Sequence, residues 1–434
     1  MLEIILGKNN SSKDKYIFKN IDNNLDNNEQ TLLIVPSQMR LEMEKKYLDF
    51  SKRDGILDLD ITSFSRLADK YLETNHIDEN RLISKLDKTI IIRKIISEHQ
   101  DVFKIFDKVK TKQGFWASID ILIDLFRKEG IDIEDIQNLE ISDKFLELKL
   151  KEIGEIYKIY IKELQEKYID SITEMQFFVE DDKNILKYKD KNIYIYGQNN
   201  FTKYELDTIA MLIKVAKKVT ISLVTDVANV DEALERGDNT IYFVANQTFI
   251  TLSQMAEKIN TKVEIRKIEA NELIQKEDIN FLAENLFKDG KREKYIGEEE
   301  NISMLYTKNP LTEVQSIAKE IARYIRKGYR YKDFAIYTNN LEGYRNILYK
   351  TMLRYNIPYY MDSKENILTN SLVIYITSLL EVIAKNYETK SIFKVIKTGL
   401  TDVTYEEICY IENYCYIFIK MLQFYIQDSS LYFI

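Results

Sequence analysis

Proline and glycine are scarce, at 3 and 12 residues of 434, which argues against long flexible linkers. Cysteine is almost absent. Cys409 and Cys415 have no partner pair and no zinc spacing, so neither a disulfide framework nor a metal site follows. That usage fits a reducing cytoplasm. The two histidines, His76 and His99, lie far apart in polar surroundings and read as surface residues. No run reaches the roughly 18 apolar residues that a membrane span needs. The first apolar run is too short for a signal peptide and is interrupted by Glu3. Positive charge is not in excess: 62 Lys and Arg stand against 70 Asp and Glu, for a net charge of −8. This argues against a wholly basic nucleic-acid coat protein and leaves room for a local basic channel.

What is present is ordinary for a soluble globular protein: 45% hydrophobic and 30% charged residues, with length enough for two or three domains. The 30 Tyr and 20 Phe read mostly as core and surface filler. Strand and helix signals alternate from the start. "LEIIL", "TLLIVP" and "LDLDITSF" read as strands, and "KYIFKNI" and "SQMRLEMEKKYL" as helices, the latter with Met39, Met43 and Tyr47 on one face. Ser65 is the expected cap of the next helix, through Tyr71 and Leu72. Strand-helix three times over implies a parallel sheet. From about Asp78 to Lys189 strands disappear and long 3.6-period stretches take over, which reads as an all-helical insertion. "NIYIYG", the helix "YELDTIAMLIKVAKK" and the strand "VTISLVTD" then resume the sheet. After a charged linker, "KDGKREKYIGEEEN", a second α/β unit is expected. Its strands are "NISMLYTKN", "DFAIYT" and "IPYYMD". Its first helix carries Val314, Ile317, Ile321 and Ile325 on one stripe and stops at Gly328.

The first strand ends at Gly7, followed by a polar loop, Lys13 and a helix. The layout matches a phosphate-binding loop, G-x-x-x-x-G-K-[ST]. Ser12 stands at the second glycine and Asp14 at the hydroxyl residue that would bind Mg²⁺.

Several long segments carry a more specific likeness. "LIVPSQMRLEMEKKYL", "ITSFSRLADKYL", "GYRYKDFAIYTNNLEGYRNILYK" and "YNIPYYMDSKENILTNSLV" closely resemble the N-terminal part of the AddB/RexB family, the B subunits of bacterial ATP-dependent helicase/deoxyribonuclease. The likeness runs in order over roughly residues 1–414. It implies an α/β fold of RecA-like parallel-sheet domains, superfamily 1 helicase-like with the P-loop NTPase fold, carrying a large helical insertion. The implied domains are 1–77 with 190–285 (first RecA-like), 78–189 (helical insertion), 286–380 (second RecA-like, incomplete) and 381–434 (start of a further helical insertion, read as truncated). The text after "YEEICYIENY" is expected to form a poorly packed end with exposed apolar surface. The family's nuclease domain and iron–sulfur cysteines would lie beyond this stretch, and Cys409 and Cys415 do not substitute for them. Implied partners are single-stranded DNA, double-stranded DNA ends and an AddA-type helicase–nuclease subunit, in the cytoplasm and without a membrane.

Three positions bear on ATP chemistry. In the loop, Asn10 and Ser12 stand where relatives carry glycine, Gly7 and Lys13 are kept, and Asp14 sets a negative charge beside any polyphosphate. Each like-charge contact at about 4 Å costs roughly 4 kcal/mol before screening. At the end of "NIYIYG", where a motor places a Mg²⁺-binding Asp, stands Tyr196, with no carboxylate before Glu205. In the second unit Asn339 matches the position of a phosphoryl-stabilising arginine, and Arg345 lies further along. Joint failure favours a fold kept without ATP turnover, with no cofactor and Lys13 as a solvated cation at a helix start. The resemblance places Gln38, Arg40, Phe64 and Arg66 near a DNA strand, with Phe201 and Thr202 on the same side. Aromatic rings would stack bases, and Arg and Gln would hold phosphates or base edges. The alternative for Phe64 is a core position, and for Arg66 an acidic partner on its own helix. Asp69, one turn from Arg66, weakens a stacking surface. Three readings stay open: an ATPase-inactive DNA-binding portion of a helicase–nuclease subunit, a divergent working ATP-binding helicase subunit, and an inactive remnant.

Overall fold

The computed structural model describes residues 1–9, 11–53, 55, 58–77, 81–99, 104–139, 142–269, 276–287, 293–298, 300–361 and 367–429. Asn10, Leu57, the expected boundary at Asp78 and part of the charged linker lie outside them. The chain forms two units, Met1–Ile302 and Ser303–Ile434.

The first unit is built on six parallel strands: β1 (Leu2–Gly7), β2 (Thr31–Ile34), β3 (Leu59–Thr62), β4 (Asn192–Ile195), β5 (Lys218–Val224) and β6 (Val263–Lys267). Their order is β3-β2-β4-β5-β1-β6. The fold is α/β with a RecA-like parallel sheet. A strand exposes alternate side chains to opposite faces, and both faces here are covered. Leu2, Ile4 and Leu6 of β1, Leu32 and Ile34 of β2 and Ile193 and Ile195 of β4 enter one core. Ile5, Leu33 and Tyr194, the residues between them, enter the other. That second core is closed by helices α1 (Lys13–Asp26) and α2 (Arg40–Ser51), through Ile17, Phe18, Ile21, Met43 and Tyr47. The first is closed by α3 (Phe64–Thr74) and by helices from later in the chain. Burial on both faces explains why these strands read as continuous apolar runs.

Between β3 and β4 the chain runs through α4 (Lys85–Glu98), α5 (Gln113–Glu129), α6 (Ile133–Gln137), α7 (Lys144–Lys167), α8 (Ser171–Glu180) and α9 (Asp182–Ile185). Helices α4, α5 and α7 pack around a core of their own, with Ile92, Ile95, Ile123, Ile156 and Tyr160. Helix α8 instead gives Met175 and Phe178 to the sheet core. The two cores are joined at Asp170, the N-cap of α8, which is 1% exposed. Its carboxylate accepts from the Arg127 guanidinium of α5, from the Thr173 hydroxyl and amide, and from the Tyr160 hydroxyl. Burial raises the Asp170 pKa, but Arg127 and the Thr173 bonds outweigh it and hold the carboxyl below its ordinary value. After β4 come α10 (Lys203–Val215), α11 (Val230–Arg236) and α12 (Phe243–Lys258), and α13 (Glu277–Asn285) follows β6.

The second unit holds α14 (Pro310–Arg326), α15 (Leu341–Arg354), α16 (Ser371–Ala384), α17 (Thr389–Ile396) and α18 (Tyr405–Ser429). Val314, Ala318 and Ile321 of α14 pack on Leu348 and Met352 of α15, with Ile317 and Ile325 partly buried. Gly328 follows that helix with φ +97°, the left-handed conformation of a helix stop. The expected strands at 301–309, 333–338 and 357–362 are not found: no strand occurs among the described residues of this unit. Parallel ladders depend on distant partners rather than on the local apolar pattern. On α18, Tyr405, Tyr410 and Tyr414 are well exposed. No helix among the described residues is long and apolar enough to cross a membrane.

Candidate functional site

Because all six strands are parallel, their C-terminal ends share one edge. On that edge sit the loop after β1 and the loops after β2, β3 and β4. Strands β1 and β2 are three spacings apart, about 14 Å at roughly 4.8 Å each. The candidate phosphate loop and the candidate DNA residues therefore occupy two halves of one edge.

In the phosphate half, Gly7 ends β1 in close quarters: a Cβ there would stand 2.5 Å from both the Ile268 carbonyl and Ser11 Oγ. Glycine is required for the chain to pass. Lys13 is not the solvated cation expected from the sequence. It is 3% exposed, and its ammonium turns back into the loop. Nζ donates to Gly7 O (2.5 Å), Lys8 O (2.6 Å) and Ser11 Oγ (3.1 Å). Burial lowers its pKa to about 8, with Asp14 opposing the shift, so it stays charged at neutral pH. Three amides of the loop and the first helical turn are engaged as well. Ser11 N donates to Lys8 O (3.1 Å), Lys13 N to Ser11 O (2.8 Å) and Lys15 N to Asp14 Oδ1 (2.8 Å). A phosphate loop works by pointing free N–H groups at an anion; in this loop oxygens converge on a cation.

Asp14, at the Mg²⁺-ligand position, thus accepts from the adjacent Lys15 amide in the first turn of its own helix. At the end of β4, Tyr196 is half-buried, and burial, with Asp14 and Glu42 adding, pushes its phenol up to about 12. Gly197 follows with φ +83°, where a Cβ would meet Met39 Sδ at 2.9 Å. Glu205, the first carboxylate downstream, closes a capping box on Thr202 N and Oγ1 (2.8 and 3.1 Å). It serves the start of α10. Asn199 bonds Val224 N (2.8 Å) and accepts the Thr248 hydroxyl (2.8 Å), tying this loop to β5 and α12. In the second unit, Asn339 is exposed and Arg345 lies 3.8 Å from Glu342 on its own helix. Among the described residues, no group of three His, Cys, Asp or Glu is gathered for a metal.

In the other half, the chain leaves β2 through a single turn, Ser37–Met39, into α2. Gln38 and Arg66 are exposed. Arg40 is half-buried and engaged with Glu44 at 3.0 Å. The stacking expectation for Phe64 and Phe201 is corrected: they are 4% and 6% exposed and meet edge to face, centroids 6.0 Å apart. They join the ends of β3 and β4 as core, so neither ring is free to stack a base. Ser63, not Ser65, caps α3, accepting from Arg66 N. Ser37, Ser63 and Ser65 form a hydroxyl cluster at 3.0–3.4 Å that links the β2 and β3 loops beside Arg66. Reading the sequence alone passes over this trio, although "PSQ" and "SFS" directly after apolar strands mark it.

Comparison with known proteins agrees with this topology. The model of the family described as ADDB, N-terminal matches residues 4–284, more than half of the chain. The chain belongs to the AddB family. It is similar to the B subunit of the ATP-dependent helicase/deoxyribonuclease of Clostridium novyi, 29% identical over 420 residues, covering 94% of this chain and 36% of that protein. The corresponding protein of Clostridium botulinum strain Loch Maree is 30% identical over 424 residues, covering 95% of this chain and 36% of its own length. That of Lachnoclostridium phytofermentans is 29% identical over 439 residues, with 96% and 37% covered. The chain thus spans about a third of the length of the curated relatives it matches.

Proposed function

We propose that this AddB-family chain is a helicase-like portion of a heterodimeric helicase–nuclease that acts on broken DNA in the cytoplasm, binding single-stranded DNA without turning over ATP. The whole complex would process double-strand ends for homologous recombination, with an AddA-type subunit as the partner motor. The relatives' name, a B subunit of an ATP-dependent helicase/deoxyribonuclease, supports the partner and the substrate. The observation that carries the ATP-independent reading is the end of β4, where Tyr196 stands and the first carboxylate downstream, Glu205, is committed to a helix cap. The DNA surface is the exposed set Gln38, Ser65 and Arg66.

Two titrations test this reading. In thermal-shift measurements with Mg²⁺, ATP is expected to leave the melting temperature unchanged up to millimolar concentration. In fluorescence anisotropy with a labelled oligonucleotide, Arg66→Ala is expected to weaken single-strand binding several-fold. It should also reduce the salt slope by about one phosphate contact. Micromolar ATP binding would sink the first half, and unchanged DNA affinity in Arg66→Ala the second.

A further inference from the structure

We propose that the end of α14 and the turn after it form a second contact for single-stranded DNA, on the second unit, with Tyr329 as the ring on which a base stacks. The contact rests on the reading of the chain as a single-strand binder, whose Gln38 and Arg66 belong to the first unit. Residues 323–332, "RYIRKGYRYK", hold Arg323, Arg326, Lys327, Arg330 and Lys332 with no acid among them, in a chain of net charge −8. All five cations are exposed. Glu320 engages Arg323 at 2.6 Å and Asp333 engages Arg330 at 2.8 Å, whereas Arg326 and Lys327 have no ion pair among the described residues. Cations in a last turn favour the negative end of the helix dipole. That accounts for Arg326 and Lys327 on α14, but not for Arg330 and Lys332 beyond it or for the tyrosines between them.

The turn is set by the helix stop. Gly328 N donates to Ile325 O (3.0 Å) and Tyr329 N to Tyr324 O (3.3 Å). This pair of bonds is the Schellman motif, in which the residue after the left-handed glycine folds back against the last turn. Tyr329 thereby meets Tyr324 edge to face, centroids 5.3 Å apart, and Phe334 at 6.3 Å. Arg323 and Lys327 both lie over the Tyr324 ring, at 5.1 and 5.2 Å. This packing orients Tyr329 without covering it: the residue is still 53% exposed. A ring that served only to close the helix end would need neither that exposure nor the cations around it. A single strand uses both halves of the patch, since its bases are free to stack on a ring and its phosphates meet the cations. A duplex keeps its bases stacked on one another, and an acidic peptide uses the cations but not the ring.

The test is fluorescence anisotropy on the full chain, with labelled oligothymidylate, an abasic oligonucleotide of equal length and polyglutamate as probes. Tyr329→Ala is expected to weaken oligothymidylate binding about tenfold, the scale of one lost stacked base, and to leave the abasic strand unchanged. Tyr329→Phe should keep the wild-type affinity. Arg326→Gln combined with Lys327→Gln should lower the salt slope by about 0.7 for each phosphate contact removed. Unchanged oligothymidylate affinity in Tyr329→Ala, or equal losses on the two strands, would overturn the proposal. So would polyglutamate bound as tightly as oligothymidylate, which would assign the patch to an acidic protein segment. If Tyr329→Ala does not fold, the variant with Arg326→Gln and Lys327→Gln decides, because both side chains are exposed; an unchanged salt slope overturns the patch. The two DNA contacts fail separately. Losses at the patch with none in Arg66→Ala would sink the contact on the first unit and leave this one, and a loss in Arg66→Ala alone would sink this one.

Discussion

Replacing Glu174 by Gln should stabilise the protein at pH 8 and have little effect at pH 4.5. Glu174 lies on α8, which packs against α3, and is partly buried. Burial, with the Asp69 and Asp170 charges adding, raises its pKa from 4.5 to about 7. Arg66 and Glu73 act on Asp69, and Arg127 on Asp170, so the charges around Glu174 are mixed in sign. A carboxyl with a raised folded pKa binds a proton more tightly in the folded state. Its favourable contribution is fully present below the unfolded value and is lost as pH rises through the folded one. The window is therefore about pH 4.5 to pH 7. A change of that size corresponds to about 3 kcal/mol at 1.36 kcal/mol per tenfold in proton affinity. Partial solvent access screens this to about 2 kcal/mol. Glutamine keeps the shape and removes the titration. Urea unfolding of wild type and Glu174→Gln across pH 4.5–8 should show a difference that grows with pH and levels off above pH 7. A pH-independent difference, or one that favours wild type at pH 8, would refute the argument.

Three further changes test the packing. Phe201→Ala should cost about 3–5 kcal/mol by opening a cavity against Phe64, while the DNA affinity of the folded fraction stays unchanged; a loss of DNA affinity without a loss of stability would return the ring to the surface. Asp170→Ala, which strands the buried Arg127 charge, should cost about 3–5 kcal/mol by denaturant unfolding. Adding Arg127→Met to that variant should recover much of the loss, and additive losses would contradict the pairing. Gly7→Ala should lower the melting temperature even though glycine there has an ordinary φ, because backbone at 2.5 Å leaves no room for a Cβ.

How much of this was legible in the sequence follows from which forces are local. Strands β1, β2, β4 and β5 announce themselves because both of their faces are buried, which favours apolar residues along their length, whereas β3, at one edge, reads through the alternation of Leu59 and Ile61 with exposed Asp60. Strand β6 escaped notice. It pairs with β1 alone, at the sheet edge, and carries the charged residues Glu264, Arg266 and Lys267, of which the last two are exposed. An edge strand needs one neighbour and little apolar surface. Glu3 shows the reverse. It reads as an interruption of an apolar run, yet it is 1% exposed, held by Tyr16, Thr220, Lys218 and Arg266. Burial works against its charge, but those partners keep its pKa below the ordinary value. Four partners from three separate segments cannot be inferred from one residue's neighbours in the chain.

The same distinction separates the two halves of the candidate site. The position of Lys13, between first strand and first helix, is a local fact and could be read directly. Its direction is not local, because the Gly7 carbonyl that receives it is also fixed by Thr225 from the far side of the insertion. For Phe64 and Phe201, an aromatic residue just after a strand looks the same whether it faces a base or another ring. Only the meeting of two loops 137 positions apart decides. Substitutions at Ser12 and Asp14 read as losses on the line of sequence. In three dimensions Asp14 accepts from the Lys15 amide beside it, and the Lys13 ammonium turns back onto the Gly7 and Lys8 carbonyls.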